Sequence, residues 1–579
     1  MKKSLLALVL ALIMCLSIFC TGCGSSKDEE NPDVMKTDSE TKAITLTLYA
    51  PTKSTTTEKE IAVVEEAFNT ITQAKFNTNV VLKLIPEDEY DATIAATVKN
   101  ANISTEPENK EDKDGKYPAV KKDQLDIFLV KSFETYYELA KNGDLAPLDE
   151  EIAEPSKLLN SYVYPYLLRA AKVDGSTYGV FNNTIFGDYE YLLLNKELVD
   201  KYNYPPEKLN DISIMSMFLQ EVKNNEAGVI PFLGELEAPV VYWNDTESLI
   251  GAYLGSAMSS SGAIDATSYR PEALYPGNLF NSTDYMQWMK EYNELYQANC
   301  LVAETEENKN SKFAATVIEG DVTLSPTYAD VYGNYKTDDK GFKYITDAET
   351  GVDYYVSVYK RPLADNNNVF NAGFVVSAST EDIGRCMEII TCLNTDAQIS
   401  NIFTYGVQDV HYTIDEKTGL VHKTTDDYAM DIENIGNIYL LKPSDDMNDF
   451  WKFMSANEWQ NAKNANRESI MSPFLGYYYN PEKPAEEDLT EDQVMVDKTF
   501  EEVYAEVVKL SANYFQSAKT YTSANGEDFS TFFTKTKVTI NEDPMVQALA
   551  DYQKGIYYMA APYNEWYQKH YAVSLTPAE

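Results

Sequence analysis

The sequence predicts an α/β protein, and a strand, a helix and a second strand near its start predict this class. Residues 44–48 (ITLTL) alternate apolar and polar side chains, as a half-buried strand does. Residues 57–60 (TEKE) have the form of a capping box, and apolar residues recur at helical spacing after it: Ile61, Val64, Phe68 and Ile71. Residues 79–86 (NVVLKLIP) then predict the second strand. This order favours a sheet with helices packed against it.

A third strand follows a long polar excursion. Residues 102–124 are charged and without periodicity, which is typical of a surface loop, and residues 125–130 (LDIFLV) read as a buried strand. Residues 112–115 (DKDG) resemble part of a calcium loop, but no glutamate stands at its closing position, so we interpret them as a solvated turn. Ligands of open α/β sheets lie outside the carboxyl ends of the strands, so the candidate binding loops are 51–54 and 131–134.

The first residues predict export. Lys2 and Lys3 precede an apolar run that is shorter than the ~20 residues a membrane-spanning helix needs, so we expect a signal peptide over residues 1–22. The stretch CTGC at 20–23 resembles the lipobox of bacterial lipoproteins, with Cys20 where leucine is usual. That resemblance implies lipid on Cys23; the alternative is an ordinary secretory signal. Residues 24–42 have the polar composition of a flexible tether.

Composition limits the partners. The net charge of −43 argues against binding to nucleic acid or to anionic lipid headgroups. No second long apolar run follows the first, so the mature chain is expected to be globular. Cys300, Cys386 and Cys392 are too few to imply a disulfide framework. The last two lie six residues apart in a predicted helix over 379–393, so they point in different directions and should not bond to each other.

Familiar catalytic patterns are missing from the sequence. It contains no phosphate-binding loop, dinucleotide fingerprint, nucleophile elbow or zinc-protease motif, and its three histidines are scattered. We therefore predict no catalytic residue, no metal and no cofactor, although 91 acidic residues leave a pair of glycosidase carboxylates open. The chain has 43 tyrosines, whose rings stack on sugar faces while their hydroxyls form hydrogen bonds.

Several segments together resemble the extracellular solute-binding proteins of bacterial ABC importers, especially the large carbohydrate-binding lipoproteins related to maltose-binding protein. Residues 173–183 (VDGSTYGVFNN) resemble the segment that leads into the crossing between lobes, with Phe181 in place of the usual proline. The other matching segments, in chain order, are 125–150 (LDIFLVKSFETYYELAKNGDLAPLDE), 191–202 (YLLLNKELVDKY), 370–380 (FNAGFVVSAST), 393–415 and 472–481 (SPFLGYYYNP).

The resemblance implies a two-lobe fold of the periplasmic-binding-protein type II class, with discontinuous lobes joined at a hinge. The first lobe would comprise 43–182 and 370–425, and the second 183–369 and 426–579. It further implies a monomer, anchored by lipid on the outer face of a cell membrane. Export with few cysteines suits a Gram-positive or an anaerobic host. This protein would capture a carbohydrate, most simply an oligosaccharide, and deliver it to the permease subunits of an ABC transporter without catalysis.

The resemblance also implies ligand contacts, at positions that match the family's segments: Lys53, Lys131, Phe133, Glu134, Glu237, Tyr242, Trp243, Tyr328, Phe474, Tyr477 and Tyr478. His411 and Tyr412 match a further family feature to which the sequence gives no physical role. Two other classes remain open: a surface enzyme that degrades glycans, and a binder of peptides or other solutes on the same fold.

Overall fold

The structure is a computed structural model of the 579-residue chain. It describes residues 42–101, 115–153, 159, 161–184, 190–236, 243–244, 251–252, 283–319, 336–347, 350–360, 362–430, 437–442, 444, 463, 466–467, 469–471, 475–477, 516–522, 529, 532 and 566.

The first sheet contains the three strands predicted from the start of the sequence. Its strands are β1 (Ile44–Thr52), β2 (Thr78–Pro86), β3 (Ile127–Val130), β6 (Gly179–Phe181) and β17 (Gly373–Val376). Their order is β2-β1-β3-β17-β6, where β1 pairs in parallel with both β2 and β3, and β17 runs antiparallel between β3 and β6. The predicted strand-helix-strand unit is thus confirmed.

Helices cover this sheet and follow its strands. Helix α1 (Glu58–Phe76) begins where the capping pattern predicts, because Thr57 accepts a hydrogen bond from the Glu60 N–H. The helix predicted over 379–393 is present with shifted ends, because Asp382 caps it. The helices are α1 (Glu58–Phe76), α2 (Glu87–Asn100), α3 (Phe133–Asn142), α4 (Asp149–Ala153), α5 (Pro165–Ala170), α9 (Asn366–Val369), α10 (Ile383–Thr395) and α11 (Ala397–Tyr405).

Strand β1 is more buried than its alternating sequence predicts. Both faces are covered, so the interpretation as a half-buried strand was wrong. The polar positions are tolerated because their hydroxyls have partners: Thr45 donates to the Pro118 carbonyl oxygen, and Thr47 bonds to the Asp126 carboxylate. Buried polar groups with partners cost little, so threonine can alternate with leucine in a fully buried strand.

The second sheet has the order β11-β8-β12-β7-β15-β14-β13 and a hydrophobic core of its own. Leu192, Phe218, Phe232, Met289 and Tyr355 are among the side chains in that core. Its strands are β7 (Glu190–Asn195), β8 (Ile230–Leu233), β11 (Leu301–Val302), β12 (Phe313–Glu319), β13 (Lys336–Thr337), β14 (Lys343–Thr346) and β15 (Asp353–Lys360). Its helices are α6 (Lys196–Tyr202), α7 (Ile212–Asn225) and α8 (Thr283–Gln297).

The chain passes between the two sheets and returns. It leaves the first sheet after β6, enters the second at β7, and comes back as β17. The outgoing and returning segments touch, because the Asn182 N–H donates to the Ala372 carbonyl oxygen at 3.0 Å. Two α/β cores built from discontinuous stretches confirm the predicted two-lobe fold.

Short strand pairs complete the described structure. They are β4 (Lys172–Val173) with β5 (Ser176–Thr177), β9 (Trp243–Asn244) with β10 (Gly251–Ala252), β16 (Leu363–Ala364) with β20 (Ile470–Met471), and β18 (Tyr412–Ile414) with β19 (Val421–Lys423). Within the described ranges, no helix combines the length and the apolar character needed to cross a bilayer.

The late part of the chain contributes to both cores. Tyr428, Met430 and Leu475 pack in the first core, whereas Phe529 and Phe532 pack in the second. The lobe boundaries taken from the resemblance, with everything after residue 425 in the second lobe, stay a prediction.

Candidate functional site

The carboxyl edge of the first sheet carries a cluster of opposite charges. Lys53 follows β1, Glu87 follows β2, and Lys131 follows β3. The Nζ atom of Lys53 lies 3.8 Å from Oε2 of Glu87, and Nζ of Lys131 lies 3.9 Å from Oε1 of the same carboxylate. Asp91, one turn further along α2, lies 4.0 Å from Lys131. The structure therefore brings together two predicted binding residues around one carboxylate.

These ion pairs are weak enough to rearrange. The side chains of Lys53 and Glu87 are 47% and 44% exposed, and the distances are at the long end for ion pairs. Pairs that are this solvated typically contribute ~0–1 kcal/mol each. The ammonium and carboxylate groups can therefore turn to hydroxyl groups of a ligand at little cost in folding stability.

Helix α3 starts at the same edge and positions two more predicted residues. The Ser132 hydroxyl accepts a hydrogen bond from the Thr135 N–H at 3.2 Å and caps the helix. Glu134 is exposed in the first turn, where a carboxylate is favoured by the helix dipole. Lys131 and Glu134 are thus both presented by the start of one rigid element.

Phe133 points inward. Its side chain is buried, and its ring centroid lies 4.4 Å from that of Phe370, which in turn lies 4.5 Å from Phe181. Tyr136 extends this aromatic cluster, and burial raises the pKa of its phenol well above the usual range while its hydroxyl donates to the Ala171 carbonyl oxygen. The cluster packs the outgoing segment, at Phe181, against the returning segment, at Phe370. Packing accounts for Phe133 here, and a ligand contact by it stays a prediction.

Tyr477 is also held by the crossing segments. The Asn366 side-chain amide donates to the Tyr477 carbonyl oxygen at 2.8 Å, and its Oδ1 accepts from the Gly476 N–H at 2.7 Å. The Tyr477 side chain is buried, with its ring centroid 5.1 Å from that of Trp566. These contacts fasten the late segment beside α9, and a ligand contact by Tyr477 likewise stays a prediction.

The remaining predicted contacts are not placed by the structure. Trp243 lies in β9, where it is paired with Ala252, but its side chain is not described. The other residues lie outside the described ranges: Glu237, Tyr242, Tyr328, Phe474, Tyr478 and the lipidation candidate Cys23. The ligand contacts of the second lobe therefore stay predictions.

His411 and Tyr412 have structural roles that the sequence did not reveal. His411 is 1% exposed; its Nδ1 accepts a hydrogen bond from the Val407 N–H at 2.8 Å, and its Nε2 lies 3.2 Å from Oε2 of Glu60. Tyr412 packs beside Tyr405 in a small separate core. Both residues hold the turn after α11 in place.

An aromatic and cationic surface was also missed by the sequence analysis. The rings of Tyr164 and Tyr166 stack with centroids 5.3 Å apart, and the Tyr164 hydroxyl contacts that of Tyr439. Lys463 and Arg467 lie over the Tyr439 ring at 5.7 and 5.6 Å. Burial, together with the Arg467 charge, lowers the pKa of Lys463. The residues of this aromatic and cationic surface lie up to 303 positions apart in the sequence, so no local pattern could have predicted the surface.

The described residues offer no cluster of three or more metal-binding side chains. The described cysteines Cys300, Cys386 and Cys392 are buried free thiols, so the expectation that the last two do not bond to each other is confirmed. Burial raises the pKa of the Cys386 thiol well above its usual value and that of Cys392 to about 12, which keeps both thiols protonated.

No protein-family model matches the chain, and no curated protein is significantly similar to it in sequence. Solved structures of similar fold include extracellular solute-binding proteins, the class that the sequence segments resemble. The N-glycan transport solute-binding protein NgtS of Streptococcus pneumoniae has a TM-score of 0.47 and 15% identity, covering 89% of this chain and 99% of its own.

Two further structures come from other bacteria. An extracellular solute-binding protein of Bifidobacterium longum subsp. infantis has a TM-score of 0.41 and 12% identity, covering 92% of this chain and 100% of its own. A family 1 solute-binding protein of Alicyclobacillus acidocaldarius has a TM-score of 0.39 and 12% identity, with 86% and 99% covered. The two-lobe assignment stands on the sheets and cores of the chain itself.

Proposed function

We propose that this chain is the substrate-binding subunit of a bacterial ABC importer, anchored by lipid at Cys23 to the outer face of the membrane. It captures a carbohydrate between its two lobes and presents it to permease subunits, as a monomer and without catalysis. The observation that carries this proposal is the charged edge of the first lobe, where Lys53 and Lys131 meet around Glu87 beside the crossing segments.

The chemistry of this edge suits a polyhydroxylated ligand. Ammonium groups donate hydrogen bonds and carboxylates accept them, and a sugar hydroxyl can do both at once. The weak ion pairs among these side chains are exchanged for hydrogen bonds to the ligand, so binding leaves no charge without a partner.

Closure of two lobes explains how binding becomes a transport signal. A ligand that contacts both lobes favours the conformation in which they approach, and a permease can distinguish that shape from the empty one. The crossing at Asn182 and Ala372 is the point about which such a motion would occur.

A thermal-shift screen of the mature protein tests the proposal. Its panel contains neutral oligosaccharides such as Man5GlcNAc, which is bound in a solved structure of NgtS, and short peptides as the competing class. A ligand present at about 100 times its Kd adds ~2.7 kcal/mol to stability. Stabilisation by a carbohydrate, with no cleavage products after prolonged incubation, supports the proposal. Stabilisation only by peptides, or turnover of a glycan, contradicts it.

Small-angle scattering tests closure separately. With a carbohydrate from the screen, the radius of gyration should be smaller than without it. An unchanged radius at saturating ligand would show that binding occurs without the lobes closing.

A further inference from the structure

Glu87 stands between the two lysines of the proposed binding edge. Each of its carboxylate oxygens faces a different ammonium group, Oε2 at 3.8 Å from Lys53 and Oε1 at 3.9 Å from Lys131. Asp91 lies 4.0 Å from Lys131. Two positive and two negative side chains therefore form a group with no net charge.

The fold fixes this arrangement. Strands β2, β1 and β3 are adjacent and parallel, so their carboxyl ends open onto one edge of the sheet. Glu87 is the first residue of α2, which begins directly after β2, and the dipole at the start of this helix favours a carboxylate there. Lys53 and Lys131 leave the neighbouring strands on the same side, which places the carboxylate between them.

We propose that Glu87 determines the charge specificity of the site: it makes this edge select uncharged carbohydrates and reject acidic ones such as uronic acid oligosaccharides. This inference rests on the proposed function. Without Glu87, the two ammonium groups would lose the carboxylate that they share, and a sugar carboxylate could pair with them in its place. With Glu87 present, its carboxylate repels the sugar carboxylate and is already paired with both lysines, so binding of the acidic sugar is disfavoured.

Glu87 is a specificity-determining residue and not a structural one. Its side chain is 44% exposed, and its carboxylate faces Lys53 and Lys131 at the edge of the sheet. The substitution Glu87→Gln keeps the shape and removes the charge, so the variant should fold with a melting temperature only slightly lower than that of the wild type, because a charge at a helix N-terminus and exposed ion pairs contribute little stability.

Glu89 provides a matched control two residues away. It lies in the same first turn of α2 and carries the same charge, but it lines a shallow groove along α2 with Asp88, Ala92, Thr93 and Asp123. Glu89→Gln therefore makes the same change in net charge without removing a partner of Lys53 or Lys131.

Calorimetric titration with an alginate oligosaccharide tests the inference on the full mature chain. We expect Glu87→Gln to bind this uronate probe at least roughly fivefold more tightly than the wild type at low ionic strength, with the gain shrinking at ~0.15 M salt. Glu89→Gln should stay within about twofold of the wild type, because its charge is directed to another surface.

The outcomes separate this inference from the proposed function. Equal affinities of the two variants, or no uronate binding by Glu87→Gln, overturn the role of Glu87 even if neutral oligosaccharides bind the wild type well. Tighter binding of the uronate than of any neutral oligosaccharide by the wild type also overturns it. A gain confined to Glu87→Gln supports it, while a wild type that no carbohydrate stabilises counts against the proposed function alone.

Discussion

The Nε2 atom of His411 lies 3.2 Å from Oε2 of Glu60, a residue 351 positions earlier in the sequence. Because Nδ1 accepts the Val407 N–H, the proton of the neutral imidazole must be on Nε2, from which it is donated to the carboxylate. This buried hydrogen bond ties the turn after α11 to the first turn of α1. It joins a segment on the returning part of the chain to the first helix of the first lobe.

The pair predicts a loss of stability in mild acid. Burial lowers the pKa of His411 even though Glu60 opposes the shift, so the unfolded chain binds the proton more readily than the folded one. The stabilisation is therefore present at neutral pH and is lost as the pH falls below the unfolded value of ~6.5. We expect the free energy of unfolding, from urea titrations, to decrease between about pH 7.5 and about pH 5.5.

Glu60 acts in the same direction at lower pH. Its hydrogen bond to Lys59 lowers the pKa of its carboxyl, against the effect of burial, so its contribution is lost only as the carboxylate becomes protonated below its usual range. The variant His411→Asn keeps an acceptor near the Val407 N–H but cannot titrate, and it should lose part of the pH dependence above ~pH 5. His422→Asn changes an exposed histidine on β19 and should keep it. Equal pH dependence in all three proteins would exclude the pair as its origin.

Local patterns in the sequence predicted the local structure well. The capping pattern at 57–60 predicted the start of α1, and Thr57 accepts the Glu60 N–H as that pattern requires. A full capping box would also turn the Glu60 side chain back to Thr57, whereas the carboxylate contacts Lys59 and His411. The pattern covers four residues and contains no information about a partner such as His411, which lies 351 positions later in the sequence.

The candidate site was predicted only in part, because local patterns show where strands end but not which distant residues come into contact. Lys53 and Lys131 follow strand ends that the sequence marks clearly, and they do lie at one edge. Glu87 was missed because the candidate residues were sought in loops after strand ends, whereas β2 passes directly into α2 with no loop between them. The contact between the Tyr164 and Tyr439 hydroxyls depends on how distant segments pack, which periodicity cannot predict.

Gly476 is predicted to be essential for docking of the late segment. It has φ +85°, and a Cβ atom added there would lie 2.3 Å from the Ala170 carbonyl oxygen, which cannot move without shifting α5. We expect Gly476→Ala to lower the free energy of unfolding by about 2–4 kcal/mol, from backbone strain and overpacking together. Gly419→Ala is the control, because Gly419 has φ +74° but open space around it, and it should cost about 1 kcal/mol. Similar losses in both variants would argue against close packing of Gly476 on α5.

The lipid anchor is tested at Cys23, which follows Gly22 and precedes a polar run. Cys23→Ala should move the protein from the membrane fraction to the medium, because the lipid that would hold it at the membrane is then absent. Immunoblots of fractionated cells, with the signal peptide shown to be cleaved, measure this. A cleaved variant that stays with the membrane would contradict lipid attachment at this residue; Cys20→Ala serves as the control and should remain anchored.

Trp243 is the second-lobe residue whose role can be decided most clearly. It begins the run WND at 243–245, and its indole can stack on a pyranose ring. If stacking is its role, Trp243→Ala removes a contact that exists only in the complex. Calorimetric titration should then show binding weaker by about 1–3 kcal/mol, with little change in the melting temperature of the ligand-free protein.

Trp288 provides the opposite case for comparison. It is buried in the second core, with its ring centroid 5.0 Å from that of Tyr292. Trp288→Ala should cost ~3–5 kcal/mol of folding stability, as truncation of a core aromatic does, and change affinity only secondarily. If Trp243→Ala behaves like Trp288→Ala, losing stability but retaining affinity, then Trp243 is a core residue and the proposed second-lobe wall of the site must lie elsewhere. Lost affinity at unchanged stability instead places a ligand-stacking ring opposite the charged edge of Lys53, Glu87 and Lys131, because a closing site needs contacts from both lobes.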